Sequence, residues 1–138
     1  RVKLFVAVLG HSNLTYAEAT RGEGPTSLAY TLIVLFVETP VFTGLVRKHL
    51  DDDHYRALQI ALLLRPEQGA LIAGSGGLRK IRWGREGEGK RGGFRVIYFW
   101  HKPSARCFML FLYGKNEQGD LTAHQTRALS RLVREEFP

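Results

Sequence analysis

The stretch LRKIRWGREGEGKRGGFRVIYFWHKPSARCFMLFLYG, residues 78–114, decides the fold. Leu78 to Trp83, Phe94 to His101 and Cys107 to Gly114 are dense in β-branched and aromatic residues, and Gly, Pro or charged residues bound each run. The linkers GREGEGKRGG and KPSAR are too short for a crossover, so the three strands are predicted to reverse into an antiparallel meander. CFMLFLY is apolar on both faces, which suits a central strand covered on both sides. Side chains alternate along a strand, so Lys80 and Arg82 share one face while Ile81 and Trp83 take the other. In the next strand Arg95 shares a side with Ile97, Phe99 and His101.

Upstream, Leu32 to Glu38 reads as another strand, and Pro40 limits its continuation. Thr43 is a candidate cap for a short helix reaching His49 or Leu50, with Leu45, Val46 and Leu50 as its apolar stripe. Asp51, Asp52 and Asp53 open a second helix, because carboxylates favour the positive end of the helix dipole. Its inner face is Tyr55, Leu58, Leu62 and Leu63, and Pro66 ends it. Gly69 to Gly77 is turn-rich. Downstream, Leu121 to Phe137 has helical spacing, with Thr122 as the N-cap and Leu129, Leu132, Val133 and Phe137 as the apolar stripe. The expected fold is a small α+β domain over residues 32–138: an antiparallel sheet, an N-terminal helical hairpin and a C-terminal helix. Residues 1–31 read as an extension: a strand from Arg1 to Leu9, then a polar linker marked by Gly22, Gly24 and Pro25. The chain starts at Arg1 and has its one Met at 109, which reads as a fragment or a displaced start.

At 138 residues with 44% hydrophobic and 24% charged content, the composition is that of one globular domain. One Cys excludes an internal disulfide framework and suggests the cytoplasm. The run Leu32 to Val37 is far short of the roughly 20 apolar residues of a membrane span. The net charge is +7. Most of that excess sits between Arg79 and Lys102, where eight basic residues meet only Glu86 and Glu88. Such concentration predicts a polyanionic partner.

Two phosphate-loop patterns fall in the Gly-rich linker: Gly84 to Lys90 reads G-x-x-x-x-G-K, and Gly87, Gly89 and Gly92 read G-x-G-x-x-G. Both need a helix to follow, and a strand follows, so no nucleotide cofactor is expected. Asp51 to Asp53 beside His54 are explained by helix capping, so no metal is expected. His49, His54 and His124 read as surface residues on helices, and Cys107 as a buried, inert thiol.

Lys80, Arg82 and Arg95 on adjacent strands, with Lys115 from the far end of the third, suit a phosphodiester. RNA carries its own nucleophile, the 2′-hydroxyl. A protein acting on it need only remove that proton, stabilise the phosphorane and protonate the leaving oxygen. Crowded cations favour a neutral amine, which makes Lys80 a candidate general base; Arg82 and Arg95 would stabilise the developing charge. Arg79, Arg85, Lys90, Arg91, His101 and Asn116 are candidate RNA contacts around them. A binding surface without catalysis remains the plainer alternative.

FVETPVFTGLV, DDDHYRALQIAL, GSGGLRKIRWGREGEGKRGGFRVIYFW and LFLYGKNEQGDLT together resemble the RelE/HigB-type toxins of bacterial type II toxin–antitoxin systems, from about Val34 to Phe137. The resemblance implies a ribosome-associated, metal-independent endoribonuclease that cleaves mRNA and inhibits translation. It also implies a cognate antitoxin as partner and no membrane association. By motif position Lys80 and Arg82 match the family's basic pair and Arg95 its phosphate-binding Arg. Where many members carry GKR and a later Tyr, this chain has Asn116 and Thr122, which leaves Lys115 as the substitute acid partner. Gyrase-targeting toxins of the ParE type share the scaffold, so a non-catalytic binding module, or an inactive decayed toxin, is the alternative. Residues 1–20, RVKLFVAVLGHSNLTYAEAT, resemble a fragment of an insertion-sequence transposase core, too short to carry that core's carboxylates.

Overall fold

The computed structural model describes residues 3–9, 14–16, 32–84 and 93–137, with side chains from residue 34 onward. In chain order the elements are β1 (Lys3–Leu9), β2 (Leu14–Tyr16), β3 (Leu32–Glu38), α1 (Pro40–His49), α2 (Asp52–Leu64), β4 (Ala70–Leu71), β5 (Arg79–Trp83), β6 (Phe94–His101), a single 3₁₀ turn (Lys102–Ser104), β7 (Arg106–Gly114) and α3 (Ala123–Glu136). The strands form one sheet in the order β2-β1-β3-β7-β6-β5-β4. The expected α+β class holds. The sheet is mixed, however, where an antiparallel one was expected: β3 lies beside β7 and parallel to it. The helical hairpin carries the chain from β3 across to the far edge, and the two reversals of the meander bring β7 back pointing the same way as β3. β1 pairs antiparallel along all of β3, from Lys3 opposite Glu38 to Leu9 opposite Leu32.

Two apolar layers sandwich the sheet. On one face Phe42, Val46, Leu58 and Leu62 of the hairpin pack on Phe36, Ile81, Val96, Tyr98 and Leu112. On the other, Val133, Leu129 and Phe137 of α3 pack on Leu78, Ile97, Phe108, Leu110 and Tyr113. Buried on both sides, β7 explains its continuous apolar run. Opposite Ile97/Tyr98 the register of β7 slips by one residue, a β-bulge that turns both Leu110 and Phe111 toward α3.

Three local expectations are corrected. α1 starts three residues before Thr43: Thr39 is its N-cap, accepting the Phe42 amide at 3.1 Å, and Pro40 stands in the first turn. Pro40 both stops the strand and opens the helix, since its fixed φ suits that position and its missing N–H has no partner there anyway. Thr43 instead donates its hydroxyl to Glu38 at 2.7 Å. Within the turn-rich 69–77 stretch, Ala70–Leu71 forms a short edge strand on β5, and Gly74, Gly76 and Gly77 supply the left-handed backbone that reverses the chain. On α3, Leu132 is 41% exposed while Ser130 is buried. The Ser130 hydroxyl can point inward because it donates to the carbonyls of Ser75 and Thr126. Thr122 does cap α3, as part of a full capping box with Gln125.

Glu38 is buried at the end of β3 and accepts hydroxyl hydrogen bonds from Thr43 (2.7 Å) and Tyr55 (2.6 Å). One carboxylate thus ties the strand to both helices of the hairpin. Burial first, and the facing carboxylate second, push the Tyr55 phenol well above its ordinary range.

Candidate functional site

Register decides which cations meet. Arg82 stands directly opposite Arg95, and Arg95 directly opposite Tyr113; one row further along, Lys80 faces Ile97 and Ile97 faces Phe111. Directly opposed residues have Cβ atoms about 5 Å apart, where like charges destabilise the pairing. Arg95 is only 6% exposed. Among the described residues its guanidinium makes a single long hydrogen bond, 3.5 Å to the Phe94 carbonyl. None of the three ion pairs among those residues involves Arg82 or Arg95. Buried guanidinium groups ordinarily pair with a carboxylate, because desolvation is costly. Two arginines side by side, with no carboxylate partner among the described residues, favour an anion between them.

Lys80 extends this cluster, and here the structure adds a residue that strand periodicity could not supply. Its ammonium lies 3.0 Å from Oδ1 of Asp120, in the loop leading into α3. Asp120 also accepts the Leu121 amide at 2.9 Å. The hydrogen bond from Lys80, then that amide, hold its carboxyl below the ordinary carboxylate range. The buried Tyr113 hydroxyl faces the same carboxylate, and burial is the main cause of its raised phenol. Lys80 therefore has an opposite charge beside it, where crowding by like charges was expected. Asp120 is 40 residues from Lys80 in sequence, and its place just before the Thr122 cap is its one local signal.

The remaining candidates divide. Lys115 follows β7 directly and donates its amide to the Gly93 carbonyl at 3.2 Å, which sets it beside the start of β6, close to Arg95. Asn116 is exposed in the same turn. Arg79 is on the opposite face: its guanidinium donates to the carbonyls of Glu67 (2.9 Å) and Gly69 (2.8 Å), fastening the loop after α2. His101 shares the face of Arg95 but lies six residues along β6, roughly 20 Å away. There it stacks on Phe137 at 4.0 Å between ring centroids and lies 2.6 Å from the Ser104 hydroxyl. Strand parity placed these two on one face, and strand length separates them. Arg85, Lys90 and Arg91 lie outside the described residues.

Asp51 accepts the His54 amide at 2.8 Å as the N-cap of α2. Among the described residues no group of three His, Cys, Asp or Glu side chains has metal-binding geometry. Cys107 is fully buried, and burial pushes its thiol far above the ordinary range. No described helix is long and apolar enough to cross a membrane.

Compared with known families, residues 41–137 match the model described as RelE toxin of the RelE/RelB toxin–antitoxin system. The matched span covers both helices of the hairpin, the meander and α3, and so contains every member of the Lys80–Arg82–Arg95–Asp120 arrangement.

Proposed function

Since the chain belongs to the RelE toxin family, a membership that implies a cognate antitoxin as partner, we propose that it is a ribosome-associated, metal-independent endoribonuclease that cuts mRNA and so arrests translation in the cytoplasm. The observation that carries this reading is buried Arg95 directly opposite Arg82 with no carboxylate for either among the described residues. A fold keeps such a pair when an anionic ligand supplies the missing charge.

In this reading a phosphodiester seats on Arg82 and Arg95. The 2′-hydroxyl attacks the adjacent phosphorus while its proton passes to Lys80, and the bond to the 5′-oxygen breaks as the 2′,3′-cyclic phosphate forms. Arg82 and Arg95 bind the non-bridging oxygens, whose charge grows in the phosphorane; donors placed there before reaction are typically worth about 3–4 kcal/mol of barrier each. Lys115, just after β7, donates to the leaving oxygen in this reading. Lys80 serves as base only once Asp120 releases it, and repulsion between the incoming phosphate and that carboxylate favours release. The activity is assigned to residues 32–138, with 1–31 outside it.

The test is brief induction in bacteria with primer extension on cellular mRNA. The wild type is expected to produce discrete 5′ ends and stop protein synthesis first. Arg95→Ala and Lys80→Ala should abolish both effects, and His101→Ala should retain them. Continued translation arrest by both Arg95→Ala and Lys80→Ala would sink the site assignment. Replication stopping before translation would sink the nuclease.

A further inference from the structure

The outer flank of α3 carries a second set of basic residues that the site above does not use. His124, Arg127, Arg131 and Arg134 are all exposed, and at 100° per residue they fall within one narrow sector of the helix. Glu135 stands four residues after Arg131, yet no ion pair within 4 Å joins them, or engages any of these four residues, among the described residues. An acidic residue beside each arginine would have given a self-neutralising helix surface; that pattern is absent here.

Where the stripe faces follows from Ser130. Its hydroxyl bonds to the Ser75 carbonyl in the loop leading into β5. Arg127 and Arg134 are its neighbours at i−3 and i+4, so they flank it on the helix surface, outward of the buried contact. The stripe therefore borders the β5 side of α3, and β5 carries Lys80 and Arg82. The helix begins three residues after Asp120, the partner of Lys80, and ends beside Phe137. Its basic flank leads away from the Arg82–Arg95 pair along the molecule. Successive arginines rise by roughly 6 and 4.5 Å along the axis, a step suited to tracking a nucleic-acid backbone.

We propose that this flank of α3 binds the phosphate backbone of the single-stranded RNA whose scissile link sits on Arg82 and Arg95, giving the substrate a second, sequence-independent contact. The proposal rests on the RNA reading of that cluster. Each phosphate neutralised on a single strand adds about 0.7 to the slope of log affinity against log salt.

The experiment is equilibrium binding of the full chain to a single-stranded RNA with 2′-O-methyl groups throughout, which the proposed chemistry cannot cut, over a series of salt concentrations. R127Q/R131Q/R134Q is expected to flatten the slope by about 2. R47Q/K48Q/R56Q, an equal charge loss on the hairpin face, should leave it unchanged. Glutamine keeps helix propensity near that of arginine, and thermal melting confirms that each variant is folded. An unchanged slope in the α3 variant, equal losses in both variants, or no RNA binding by the wild type would each overturn the proposal. Binding with the expected slopes, but no cutting of unmodified RNA under translation conditions, would overturn the nuclease reading while supporting the α3 contact.

Discussion

The two ends of β6 on the α3 side form a natural contrast. At its start, Arg95 is buried opposite Arg82, with no carboxylate for either among the described residues. At its end, His101 stacks on Phe137, and Phe137 meets Phe108 edge-on at 4.9 Å and Phe99 at 5.6 Å. Same strand, same face, different surroundings: one end packs rings together, while at the other two cations meet with no carboxylate partner among the described residues. Stability alone would select the first arrangement at both ends. In the proposed function, the Arg95 end is where the anionic ligand binds.

The largest expected effect breaks the contrast from the charged end. Arg95→Gln should lower RNA cleavage by about 10²–10³-fold, the range for removing one preorganised charge-stabilising donor, with no loss of melting temperature because a like-charge contact disappears with it. Single-turnover cleavage and a thermal melt on the same sample check both halves. A large fall in stability would show that Arg95 is structural.

Tyr98, on the hairpin side of β6, controls for ordinary burial. Its hydroxyl accepts the Gly69 amide at 2.9 Å and donates to the Pro66 carbonyl at 2.7 Å. Tyr98→Phe should cost about 1–3 kcal/mol by leaving that buried amide without a partner, with cleavage by the folded protein unchanged; denaturant unfolding measures it. Burial pushes this phenol up to about 12. A raised acid contributes stability that is complete below its unfolded value of 10.0 and is lost as pH rises toward 12. The wild type should therefore lose stability over that alkaline window more steeply than the Phe variant.

At the packed end, Phe137→Ala should cost about 1–2 kcal/mol, less than a fully buried ring because Phe137 is only partly buried, and should leave cleavage intact. Loss of cleavage without unfolding would erase the distinction between the two ends. Smallest is Asp120→Asn: Asp120 is 70% exposed in its pair with Lys80, so stability should change by less than about 1 kcal/mol. Because Asp120 titrates below its ordinary 3.8, its contribution is present above that value and fades as pH falls through the lowered one. Acid unfolding of the variant should be correspondingly less pH-dependent.

Much of the architecture was legible. The bounds of β3 and β6, the Thr122 cap, the Asp51 start of α2 and the opposite facing of Ile81 and Lys80 all follow from side-chain period and capping chemistry, which are local. Where the local signals were ambiguous, they misled: Thr39 and Thr43 both suit a cap, and only Pro40 in the first turn decides between them. β4 is two residues long, too short for any period to show.

The sequence by itself determined the longer strands and helices, the faces that Ile81, Lys80, Arg82 and Arg95 take, and that the positive charge is concentrated around the meander. Tertiary structure alone decided which of those charges meet. Period two fixes a face but not a position along it, so Arg95 and His101 shared a face on paper and stand roughly 20 Å apart. Arg82 meets Arg95 through a cross-strand register, and Lys80 meets Asp120 through a loop 40 residues away. Such contacts are set by how the whole chain packs, and no local pattern carries them.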